Sequence, residues 1–117
     1  MDRLADTGGV TANKVVVYTG SSLKVQDAAG TNNLTTIAGV ALATATSGNV
    51  TRVCVRGTVL TLADAGITTG QLVGTSAAVA GNVQSGTTPA LGQVVGRATE
   101  NTGATAANRV VVDVTLQ

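Results

Sequence analysis

Residues 91–100 read LGQVVGRATE, and residues 34–43 read LTTIAGVALA. The two stretches share one register: Leu34 falls on Leu91, Ile37 on Val94, Gly39 on Gly96 and Ala41 on Ala98, each 57 positions apart. The same offset carries Arg52 onto Arg109, Val53 onto Val110 and Val55 onto Val112, and upstream it carries Val15 and Val16 onto Leu72 and Val73. One offset held across two strand patterns and the loop between them predicts an internal duplication, with pseudo-repeats at about 11–60 and 68–117. Halves of that size are too small to stand alone, but face to face they share one core as a small barrel or sandwich.

The residues between these landmarks read as short strands. Val, Thr and Ile are branched at Cβ and suit a pleated surface, and Gly, Asn, Asp and Ser punctuate them at short intervals. Strands are expected at about 14–18, 23–26, 36–45, 50–62, 71–75, 77–85 (split by a turn), 93–100 and 108–116. Runs of helix formers with a 3.6-residue period are missing, and the best helical candidate is a single turn near Leu62–Gly66. SGN at 47–49, AGN at 80–82 and YTGSS at 18–22 carry turn chemistry, and Pro89, the only proline, fits a loop. Residues 1–10 show no strand pattern and are expected to form an extended N-terminal arm on a single β domain spanning 11–117. Alternation places Val53 and Val55, like Val110, Val112 and Val114, on an apolar face, with Arg52, Cys54 and Arg56 opposite. Gly39 and Gly96 sit inside strand patterns, where glycine marks a bulge or a close backbone approach.

Composition bounds the chemistry. The 117 residues hold no His, Trp or Phe and one aromatic, Tyr18, and 11% are charged for a net charge of +1. A core of Val, Leu, Ile and Ala gains less per residue than an aromatic one, so stability is expected to be completed by oligomerisation or by docking on a larger body. A mean hydropathy of +0.34 fits a surface of Thr, Ser, Gly, Asn and Ala suited to permanent contact. The five arginines and two lysines are scattered and give no footprint for nucleic acid. Apolar runs such as Val15-Val16-Val17 fall far short of a membrane span, and the N-terminus has no signal-peptide pattern, which implies synthesis in a cytoplasm.

Without histidine, Ser-His-Asp, Cys-His and His-ligated metal sites are excluded. Asp2, Asp6, Asp27, Asp64, Glu100 and Asp113 stand apart in sequence and read as turn or strand-end residues. Cys54 lies between Arg52 and Arg56, whose charge would favour a thiolate, but a small half-buried strand residue is the simpler reading. TGQLVG and LGQVVG lack the Lys-Ser/Thr ending and the following helix of a phosphate loop. No catalytic residue, metal or cofactor is expected, and the chain is read as a non-enzyme.

GVALATATSGNVTRVCVRGTV, AGITTGQLVGTSAAVAGNVQSG, LGQVVGRATE and the terminal RVVVDVTLQ together resemble the small capsid decoration, or cement, proteins of tailed bacteriophages. The pattern is carried by Gly39-Val40-Ala41, Gly57-Thr58-Val59, Ile67 to Val73, Gly81 to Val83 and Val94-Val95-Gly96-Arg97-Ala98 over about residues 10–117. Many members carry acids after G-x-A, where this chain has LATATSGN. The resemblance implies a structural protein, commonly a homotrimer, that binds the outer surface of the assembled capsid and staples neighbouring major capsid proteins. Within that reading the arm residues Asp2, Arg3 and Leu4 would add a strand to the capsid protein, and Arg52, Arg56 and Arg97 are interface candidates. The alternative is a virion fibre or adhesin module for host glycans, for which only Tyr18 offers an aromatic surface. A swinging-arm carrier domain would need a lysine at the tip of the AGN hairpin, which has none.

Overall fold

In the computed structural model the described residues are 2–6, 8–19, 24–28, 37–63, 66–75, 81–85, 94–104 and 109–115. They form ten strands: β1 (Asp2–Ala5), β2 (Val15–Thr19), β3 (Lys24–Asp27), β4 (Ile37–Ala41), β5 (Val50–Cys54), β6 (Arg56–Leu62), β7 (Leu72–Thr75), β8 (Val83–Ser85), β9 (Val94–Ala98) and β10 (Arg109–Thr115). The expectation of an all-β chain of short strands is met, with no helix among the described residues. Strands β1-β3-β2-β4-β5 close into a barrel, and β6-β10-β9-β7-β8 form a second five-stranded sheet.

The duplication appears in the hydrogen-bond ladders. Val16 pairs with Gly39 beside a bulge, after which Val17 pairs with Ile37. Val73 pairs with Gly96 beside a bulge, after which Gly74 pairs with Val94. These pairs are one arrangement moved along the chain by 57 positions, bulge included. The remaining barrel strands map likewise, β3 onto β8 and β1 onto β6. Ala5 pairs with Val25 in parallel, and Ala63, just past β6, bridges Val83 in parallel. The second sheet is thus a half-barrel whose fifth strand meets the first part of the ring through a single bridge among the described residues.

Three features depart from the sequence reading. At the helical turn expected near Leu62–Gly66, Leu62 is drawn into the ladder opposite Arg109 and Ala63 into its bridge; residues 64–65 lie outside the described set. The expected strand 50–62 is two strands, broken at Val55, where the chain leaves the barrel for the second sheet. The halves therefore divide at Val55, and β6 opens the second half rather than closing the first.

The third departure concerns residues 1–10. The segment is extended, but it is seated and not free: β1 pairs in parallel with β3 and antiparallel with β5 and so closes the barrel. Strand pairing uses backbone amides, which DRLA supplies without an apolar alternation, since Ala5 is its only buried side chain. Val10 adds an isolated bridge to Ala45.

Two clusters of buried side chains explain the composition. Ala5, Val10, Val16, Val25, Ala38, Ala41, Ala45 and Val53 pack together inside the barrel. A closed ring of five strands encloses little space, which Ala and Val fill and an aromatic ring would overfill. The larger cluster joins Val15, Val17 and Val40 of the barrel to Val59, Val73, Val83, Val95, Val110, Val112 and Val114 of the second half. Val15, Val16 and Val17 are therefore all buried, because β2 is covered on both faces, and an unbroken Val run replaces the usual alternation.

Asn13 joins the halves. It takes a left-handed conformation, φ 68°, which Asn tolerates better than most residues. Its side-chain amide donates to the Leu60 carbonyl at 2.8 Å, and its own carbonyl accepts from the Leu62 amide at 3.1 Å. Val15 in turn donates to the Gly81 carbonyl at 2.7 Å. The SGN turn forms around Gly48 at φ 86°, with the Asn49 amide donating to the Thr46 carbonyl. Gly81 of the AGN turn has φ 81°. The tip of the YTGSS turn, Pro89 and the first limb of the expected strand 77–85 lie outside the described residues.

Candidate interface on the barrel face

The strand register brings three of the predicted interface residues together. Asp2 pairs with Arg52 and Leu4 with Val50 across β1 and β5, and Leu4 pairs with Lys24 across β1 and β3. Burial along these strands alternates, with Asp2, Leu4, Val50 and Arg52 exposed and Ala5, Thr51 and Val53 buried, so the exposed set shares the outer face of the barrel. The Leu42 amide donates to the Arg52 carbonyl at 2.8 Å, which adds Leu42 to the same face. Leu4, Leu42 and Val50, exposed by 40%, 44% and 60%, are all the large exposed hydrophobic residues among those described.

Charges border this apolar strip. Asp2 Oδ1 lies 3.5 Å from Arg52 Nε, with both side chains about two-thirds in solvent. A pair so exposed contributes little to folding and leaves both groups able to meet a partner. Leu42, Val50 and Lys24 were not singled out in sequence. Only the register of a barrel closed by β1 puts them beside Leu4 and Arg52, and a free arm gives no such neighbourhood.

The other predicted residues lie elsewhere. Arg3 points the opposite way from Asp2 and Leu4: its guanidinium sits 5.7 Å from the Tyr18 ring centre, and its Nε donates to the Tyr18 hydroxyl at 3.3 Å. Tyr18 itself packs, partly buried, against the barrel interior, so the lone aromatic braces the ring. Arg97 is exposed on the second sheet opposite Asp113, and its Nη1 donates to the Gly70 carbonyl at 2.7 Å. Arg56 is exposed at the start of β6, and its carbonyl accepts from Cys54 Sγ at 3.5 Å. Cys54 is half-buried and packs against the larger cluster.

The acids perform local structural work. Asp27 accepts from the Thr11 amide and hydroxyl, both at 3.0 Å; Asp6 accepts from the Thr19 hydroxyl; Glu100 accepts from the Val111 amide at 3.1 Å. These bonds tie loops to strand ends, as expected of solvated turn residues. Asp64 lies outside the described residues.

No protein-family model and no curated protein matches the sequence. Among solved structures, the head fiber gp8.5 N base of bacteriophage phi29 matches with a TM-score of 0.67 at 17% identity. The match covers 98% of this chain and 92% of that one. At that identity the likeness is one of fold, and it takes in both halves.

Proposed function

We propose that this protein is a non-enzymatic structural component of a tailed-phage virion that binds the outside of the assembled capsid and stabilises contacts between major capsid proteins. The observation that carries the reading is the fold it shares, over nearly its whole length, with the base of a phage head fiber. The resemblance to decoration proteins points to the same location, and four of the acids, Asp2, Asp6, Asp27 and Glu100, are engaged in structural contacts. The glycan-adhesin alternative would have to use Tyr18, whose ring packs against the barrel cluster with Arg3 beside it.

The test is co-sedimentation of the purified protein with empty, expanded capsids, followed by thermal melting of the loaded particles. Binding with a raised melting temperature is the expected outcome. Absence of binding overturns the reading. The likeness to a head-fiber base favours a second reading, in which the domain attaches to the head without reinforcing it. Binding with an unchanged capsid melting temperature would select that role over stapling. A Cys54→Ser protein is expected to bind as the parent does.

A further inference from the structure

The duplicated ladder supplies an internal control for the barrel face. Moved through the repeat, the Leu4–Val50 pair becomes Leu62–Arg109 and the Asp2–Arg52 pair becomes Leu60–Val111. The Leu42 amide bond to the Arg52 carbonyl becomes the Thr99 amide bond to the Val111 carbonyl. At these positions the second half exposes no large apolar side chain: Leu60, Leu62 and Val111 are half-buried, and Thr99 and Arg109 replace Leu42 and Val50. The fold thus accepts Thr and Arg where the barrel presents Leu and Val. The apolar strip is not required for building the strands, and exposed apolar residues that cluster mark a contact surface.

We infer that this face, Leu4, Leu42 and Val50 bordered by Asp2 and Arg52, is where a second copy of the chain docks. The face carries the Asp2–Arg52 pair next to one apolar strip, with Lys24 beyond Leu4. Turned through a half-rotation about a line between β1 and β5, a copy sets its Arg52 against the first Asp2 and its Asp2 against the first Arg52, and Leu4 of each copy meets Val50 of the other. Such a self-complementary arrangement is what a two-fold contact demands, since each residue must suit its own image. A partner of a single charge would leave either Asp2 or Arg52 opposite a like charge. Because the barrel is closed by β1, the contact is made by side chains across the face and not by pairing of strand edges.

Sedimentation velocity of the full chain, without capsids, tests this. The parent protein is expected to associate with rising concentration, and the double variant L42T/V50R, which borrows the residues of the second half, to stay monomeric with an unchanged circular dichroism spectrum. Charge variants give a test at exposed side chains where folding is not at stake. D2R leaves the face with positive charges alone, and R52D makes the pair at positions 2 and 52 wholly negative; each alone is expected to associate at least tenfold more weakly than the parent, and an equimolar mixture to regain association. A parent protein that remains monomeric, or a mixture no more associated than its separate parts, overturns the inference. If the parent is monomeric and L42T/V50R loses capsid co-sedimentation, the face belongs to the capsid instead.

Discussion

Gly96 on β9 faces the Asp113 carbonyl oxygen on β10 so closely that a Cβ at position 96 would collide with it and with the Asp113 carbonyl carbon. Gly39 stands in the same relation to the Cys54 carbonyl on β5. The obstacle at both sites is backbone, which cannot rotate aside.

Gly96→Ala and Gly39→Ala are therefore each expected to cost about 3 kcal/mol or more, the range of a forced core shift. Gly48→Ala, where φ is 86° but space is open, is expected to cost only about 1 kcal/mol from the left-handed backbone. Urea unfolding of the three variants checks the order, and equal losses would refute the steric account.

Val16→Ala is expected to lose about 2 kcal/mol, because the side chain is fully buried in a barrel interior that has little else to fill the gap. Val50→Ala, on the exposed face, is expected to stay within about 0.5 kcal/mol of the parent. Thermal denaturation at low protein concentration, where association does not contribute, separates the two.

Asn13→Ala removes the side-chain bond to Leu60 and leaves at φ 68° a residue that tolerates the left-handed region less well than Asn, for an expected loss of about 2 kcal/mol. Asn13→Gly keeps the backbone at ease and loses chiefly the bond, about 1 kcal/mol. Chemical unfolding should rank them so; the reverse order would mean that the left-handed turn costs nothing here.

Deletion of residues 1–5 removes β1 and exposes the unpaired sides of β3 and β5 together with the barrel interior. The melting temperature is expected to fall by more than about 10 °C, with loss of a single sharp transition. An unchanged melting curve would restore the picture of a dispensable arm.

The duplication could be read from the sequence because its strongest marks, Gly39 and Gly96, are fixed by backbone contact and cannot drift. The offset of 57 correctly anticipates the pairs Val16–Gly39 and Val73–Gly96. It misplaces the last strand. Arg52 matches Arg109 in sequence, yet in the ladders Arg52 corresponds to Val111, a slip of two residues. Such a slip keeps every side chain on its proper face, so alternation gives no warning of it. Residues 2–5 were hidden for another reason: their role lies in amides that every sequence carries. The contact face was half legible. Asp2, Leu4 and Arg52 were marked, whereas Leu42, Val50 and Lys24 depend on which strands become neighbours.

Val55 alone separates β5 from β6, so the barrel and the second sheet are joined through one bent residue with no linker between them. Tension applied to the barrel reaches the second sheet through β6. Because β10 ends beside the start of β6, a pull between the barrel and Thr115 would open the seven residue pairs of that ladder one after another, from Arg56–Thr115 inward. Holding the ladder at its far end, at Arg109, would load the same seven pairs together in shear.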